Sequence, residues 1–183
     1  MRRLMGAPPP RRCARRRLAG VLAALVLAGP ALLGAAIGPG GPAAPAEPGG
    51  SGETVSLSGN GPGERLDVTL TRVVDPATPA GPVPVSADRL VAVQFRLENT
   101  GSAVYHDSPA RAAHLLDADG HRFTGSDAAT TAGPAFPDTV TLRPGGSALG
   151  FVAFRLPQDA RPAAAQFALN GGLADDVGHW SLS

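Results

Sequence analysis

Lysine is absent from the sequence, and all sixteen basic residues are arginine. Beside the heavy use of Ala, Gly and Pro, this is the composition of a GC-rich genome and carries no function by itself. Every cation is nevertheless a guanidinium, which never deprotonates and makes forked bonds to carboxylates. There is one cysteine, Cys13, and it stands before the first apolar run. That position excludes it as the lipid-bearing cysteine at the end of a lipoprotein signal. If the leader is removed, the exported body has no thiol, no disulfide and no cysteine metal ligand, so packing alone must stabilise it. The two methionines are Met1 and Met5, which closes the route to a copper carrier built on thioethers. Aromatics are scarce, at six Phe, one Trp and one Tyr, and from residue 54 on no helical pattern runs for ten residues.

The distribution of charge is uneven. Seven arginines precede residue 18, and all fifteen acids lie from Glu47 onward. The body from residue 47 holds nine arginines against fifteen acids, a net charge of −6. An acidic body argues against nucleic acid or anionic lipid as partner, because both require a basic face.

Residues 1–37 read as a signal peptide or signal anchor, with an arginine-rich start followed by an apolar helix over Leu18–Ile37. Small-x-small exits stand after Ala31, Ala36 and Ala46, and Ala44-Pro45-Ala46 has the favoured A-x-A form. An uncleaved anchor stays open, since twenty residues just span a bilayer. Arg15-Arg16-Arg17 lacks the flanking residues of a twin-arginine signal. Residues 38–53 form a Gly/Pro/Ala-rich linker that cannot bury anything.

Residues 54–183 carry the fold. In Leu90–Asn99, Val91, Val93, Phe95 and Leu97 alternate with Ala92, Gln94, Arg96 and Glu98, the period of a strand with one buried face. Further strands are expected at Thr54–Gly59, from about Arg65 to Val74, Ala110–Leu116, His121–Thr124, Thr139–Leu142, Ser147–Leu156, Ala164–Leu169 and Gly178–Leu182. Asp75-Pro76 should end the second of these. Asp117-Ala118-Asp119-Gly120 is a hairpin turn, because Asp and Gly tolerate positive φ. Ser147–Leu156 is apolar on both faces, so it belongs in mid-sheet or under a covering loop. Gly125–Asp138 has no pattern and reads as a surface loop. Trp180 should anchor the last strand to the core. The expected architecture is all-β, a two-sheet antiparallel immunoglobulin-like sandwich.

Val68–Pro76, Leu90–Gly101, Leu115–Gly120, Leu142–Gly146 and Gly150–Pro157 occur in that order. Together they resemble a family of secreted actinobacterial proteins, a domain of unknown function with a telokin-like, immunoglobulin-like fold related to a secreted mycobacterial antigen. The resemblance covers about residues 53–170. It implies a protein that is secreted or held at the extracellular face of the cell membrane. It supplies no catalytic residues.

The candidate chemistry is sparse. His114 and His121 flank the Asp119-Gly120 turn and would have to face each other to hold zinc. Asp117, Asp119 and Asp127 lack the spacing and glutamate of a calcium loop. Ser147 has no glycine two places on, so a nucleophile elbow fails. Tyr105 and His106, after the Asn99–Ser102 turn, are the candidate loop contact. The expectation is therefore a non-catalytic exported module that binds a protein or cell-envelope partner, without cofactor or metal. The alternatives are a spacer without a ligand, or a small metal-binding or enzyme domain with a loop-built site.

The face assignment is testable through Phe95→Ala. It should cost roughly 3–5 kcal/mol in urea unfolding, and a cost below about 1 kcal/mol would mean that the face is inverted.

Overall fold

The computed structural model describes residues 51–82 and 88–182; the signal or anchor, the Ala46 exit and most of the linker lie outside them. In chain order the strands are β1 (Thr54–Ser58), β2 (Arg65–Ala77), β3 (Asp88–Asn99), β4 (Tyr105–Asp107), β5 (Ala113–Asp117), β6 (Arg122–Thr124), β7 (Val140–Leu142), β8 (Ser147–Pro157), β9 (Pro162–Ala168) and β10 (Val177–Ser181). One sheet has the order β1-β2-β3-β8 and the other β10-β9-β5-β6, with β4-β7 as a short third ladder. All of these pairings are antiparallel. The chain is a β-sandwich.

The alternation in β3 carries through to three dimensions. Val91, Val93, Phe95 and Leu97 are fully buried, together with Leu66, Val68 and Leu70 of β2. Phe95 meets the opposite sheet directly. Its ring lies 5.5 Å from that of Phe167 and 5.9 Å, edge-on, from that of Trp180. Trp180 is the anchor its position suggested: it is fully buried, and its indole N–H donates to the Glu53 carbonyl at 2.9 Å. The Gly52 N–H also donates to Leu70 O, so chain drawn as linker from sequence is already docked at residue 52.

Four expectations change. First, β2 continues through Asp75-Pro76 to Ala77. The pairing with β3 is irregular between Val74 and Ala77, where a proline without an N–H removes no ladder bond. Second, residues 109–112 form a single helical turn, α1 (Pro109–Ala112), and the strand begins only at Ala113. Pro109 takes the first helical position, where a missing N–H costs nothing, and the N–H groups of Arg111 and Ala112 both reach Ser108 O. Third, the segment after Asn99 holds the strand β4. Asn99 is buried, and its side-chain amide donates to Ala103 O and Leu142 O at 2.8 and 2.9 Å, which draws β4 towards β7. Fourth, Gly125–Asp138 is a covering segment, not a free surface loop.

That last change explains β8. Val152, Phe154 and Leu156 face the main core, while Phe151 joins Ala77, Leu90 and Ala92 in a second cluster on the outer face of the sheet. The 125–138 segment roofs that cluster. It is held by Ser126 N–H to Ala153 O at 2.7 Å, Phe136 N–H to Phe151 O at 3.1 Å and Phe151 N–H to Pro134 O at 2.9 Å. These bonds also occupy the outer edge of β8, which would otherwise offer unpaired groups to another chain. Leu149 lies beyond the roof and remains 59% exposed.

Arg89 ties the strand ends together at one pole. Its guanidinium forks onto Asp75 at 2.8 and 3.1 Å and donates to the carbonyls of Pro157, Gln158 and Ala160. Its hydrogen bond to Asp75 raises its pKa, so the cation persists at any working pH. Arg89→Lys keeps the charge but cannot reproduce the fork. The urea midpoint of that variant should fall by the equivalent of about 1–2 kcal/mol with an unchanged slope. A midpoint equal to that of the parent would show that the clamp contributes nothing.

Candidate functional site

Three places bring together side chains capable of chemistry or recognition. The first is the β5–β6 hairpin. Asp117 is buried, and its Oδ1 accepts the N–H groups of Asp119 and His121 at 3.0 and 2.8 Å, while Oδ2 faces His121 Nδ1 at 3.0 Å. Gly120 supplies the positive φ of the turn, at 85°. Burial raises the Asp117 carboxyl, but the hydrogen bonds from His121 and Asp119 outweigh it and hold the group below the usual carboxylate range. The same contact raises the His121 imidazole.

Asp117, Asp119 and His121 place donor atoms within 4.8 Å of one another. However, Asp117 is already committed to the turn. The cluster offers at most three protein ligands, one of them already bonded into the turn, against the four of a closed zinc site. Asp127 stands apart from this group, on the covering segment. His114 does not join His121 across the hairpin, so the two do not face each other as a zinc pair would require. It stands opposite Thr124, is 8% exposed, and its Nδ1 has no protein partner. The extra residues of the turn push His121 past the last rung and back onto Asp117. Burial, then the charge of Arg122, lowers the His114 pKa.

The second place is an open groove of about 520 Å³ between α1 and the covering segment. Phe136, Phe151 and Val152 line it, with Arg111, Asp127 and Asp138 as its charged groups. Two glycines make the construction feasible. A Cβ on Gly150 would lie 2.8 Å from the Phe136 ring, and one on Gly125 would lie 2.5 Å from Ala110 O. Sequence reasoning missed this groove; the only signal was a pair of glycines that turn chemistry alone did not require.

The third place holds the candidate contact pair, Tyr105 and His106. The strand β4 separates them. His106 is exposed, with Nδ1 2.8 Å from Thr141 Oγ1, but Tyr105 is only 6% exposed and its ring belongs to the core. Tyr105 therefore cannot act as a surface contact; alternation along β4 turns it inward and His106 outward. Burial, and then Asp107, push the phenol well above its usual range. Its hydroxyl has no protein partner. Beside it lies a small cavity of about 20 Å³, lined by Glu64, Asn99, Asp107 and Asn170 among others. Asn170 holds a positive φ of 57°, fixed by Asn60 N–H to its Oδ1 and by its own amide to Glu64 Oε2. Ser147 opens β8 opposite Glu98 and is exposed.

No protein-family model matches the chain, and no curated protein matches it in sequence. Solved structures do. The secreted protein MPT63 of Mycobacterium tuberculosis superposes with a TM-score of 0.55 at 16% identity, covering 76% of this chain and 99% of MPT63. The yjhA protein of Bacillus subtilis gives 0.51 at 14% identity, over 74% of this chain and 99% of its own. The B. subtilis ycdA protein, a candidate lipoprotein, gives 0.52 at 12% identity, over 71% of this chain and 38% of its own. At such identities the likeness establishes the β-sandwich fold and nothing further.

The buried His114 makes a pH dependence testable. Its folded pKa lies below the unfolded value of about 6.5, so its contribution is present above that pH and is lost as pH falls through the folded value. The urea midpoint should fall between about pH 7.5 and pH 5, and less so in His114→Gln. His121 acts in the opposite sense and Asp117 is held below the usual carboxylate range; both are common to the two proteins, so their difference isolates His114. Parallel losses in parent and variant would refute the assignment.

Proposed function

We propose that the chain is a non-catalytic, exported immunoglobulin-like module that binds a protein or cell-envelope partner through the groove between α1 and the 125–138 segment. The observation that carries this reading is the groove itself. It combines apolar lining with charges of both signs, and a hydrogen-bonded roof holds it in place instead of a slack loop. Binding surfaces are commonly built this way, on connecting segments positioned by a rigid sandwich. The polar clusters elsewhere have structural explanations in turn formation, which favours recognition over catalysis. The likeness in fold to secreted MPT63, together with a basic start and an apolar run, supports export to the extracellular side. The finer placement, in a secreted actinobacterial family with a telokin-like fold, rests on the ordered strand and turn motifs.

Photo-crosslinking from inside the groove tests the reading. A photoreactive residue at Asp138, and a control at Arg72 on β2 of the first sheet, would be introduced into the exported protein in its own host. The groove position should give a discrete adduct that Phe136→Arg abolishes, and the control should give none. Adducts from both positions alike, or from neither, would favour a spacer without a specific ligand.

A further inference from the structure

The loops at one end of the sandwich are cross-linked by a polar cluster that no strand pairing requires. Glu64 Oε2 accepts from Gly61 N–H and from the Asn170 side chain, at 3.0 and 3.2 Å. Asp107 accepts Ser108 N–H on Oδ1 at 2.7 Å and Gly171 N–H on Oδ2 at 2.8 Å. Asn99 uses both amide hydrogens and its oxygen on Ala103, Leu142 and Gly101. The Tyr105 hydroxyl is buried and lacks a protein partner. A buried hydroxyl left unpaired is costly and rare. The cavity that Tyr105 lines together with Glu64, Asn99, Asp107 and Asn170 has a volume of about 20 Å³. A single water needs roughly 10–15 Å³ measured in this way, whereas a small-molecule pocket starts near 300 Å³.

We propose that this cavity is a hydration site, in which one resident water accepts the Tyr105 hydroxyl proton and donates to the carboxylates of Asp107 and Glu64. The donor and acceptor balance selects water over a cation of similar size. A cation could take a lone pair of the phenol oxygen but would leave its proton unpaired. Water supplies the missing acceptor, and its own hydrogens find carboxylate oxygens with lone pairs left over. Asp107 accepts one hydrogen bond on each oxygen, and both bonds given for Glu64 fall on Oε2, leaving Oε1. The water then joins two segments that are remote in sequence, the turn before β2 and the strand β4, and the 169–172 turn is tied to both through Asn170 to Glu64 and Gly171 N–H to Asp107.

Tyr105→Phe removes the hydroxyl and keeps the ring, and the sandwich should still fold. Crystals of the parent diffracting to about 1.5 Å or better should show one isotropic peak at hydrogen-bond distance from the phenol oxygen, about 2.6–3.0 Å. The peak should weaken or vanish in the variant. The folding equilibrium constant of the variant, from urea unfolding with an unchanged slope, should fall roughly 5- to 10-fold, the worth of one satisfied buried hydrogen bond. A cavity without density, an anomalous peak there after soaking in rubidium, or a variant at least as stable as the parent would each overturn the assignment.

Discussion

The contact that everything else depends on is the meeting of Phe95 with Phe167 and Trp180. Phe95 is the central inward residue of β3, and the other two come from β9 and β10 of the opposing sheet. With so few aromatics in the chain, three of them converge where the layers touch. Edge-on and tilted rings at this spacing add to what burial alone contributes. No disulfide within the chain is available to staple the body, because Cys13 is the only cysteine in the sequence. Cohesion has to come from residues of large volume at the few positions that face both sheets. Trp180 goes further, since its N–H reaches Glu53 and so closes the first strand's approach against the last.

The same logic makes the 125–138 segment necessary. An antiparallel sheet ordinarily leaves one face to water, and its strands then alternate. In β3 and β8 the alternation fails locally, with Ala92 and Phe151 as apolar as their inward neighbours, so the outer face needs a cover. A helix would serve, but the segment's Gly133, Pro134 and Pro137 rule one out. The chain instead covers the sheet as irregular backbone that turns at Thr131-Ala132 and bonds to the edge of β8. The roof hides apolar surface and protects an edge, and its far side leaves the groove against α1. A structural necessity therefore generated the concave surface on which the functional proposal rests.

Much of this was legible in the residues. Strict alternation over Leu90–Asn99, the Asp-Gly turn and the isolated tryptophan are signals whose cause is local, and each appears where local physics puts it. What was not legible depends on partners distant in sequence. The alanines of 110–112 fit either a helix or a strand, and Ser108-Pro109 decided for a helical turn. Tyr105 and His106 looked like a loop because a three-residue strand has no periodicity to read; β4 is defined by its pairing with β7, and Asn99 braces the approach through Ala103 and Leu142. Whether His114 and His121 face each other was not legible, because spacing alone does not reveal how many residues a turn consumes. Asp75-Pro76 looked like a stop because the strand's irregular pairing, which makes room for proline, is invisible in one sequence.

These misses share a direction. The contact candidate Tyr105 proved to be core and His114 a buried ring, while Asp117 is the turn residue that its place before Asp119-Gly120 indicated. Polar side chains in a small sandwich without staples are heavily used in holding loops, since each buried donor or acceptor must be matched. Candidate function is better sought where polar and apolar groups are exposed together and the backbone beneath them is fixed by other bonds. Arg111, Asp127 and Asp138 meet that condition around the groove floor, whereas the hairpin cluster does not, because its most buried member is consumed by the turn it forms. The division of labour follows from size: a core this small has few polar groups to spare, so the proposed recognition is assigned to the rim of the segment that had to cover the sheet.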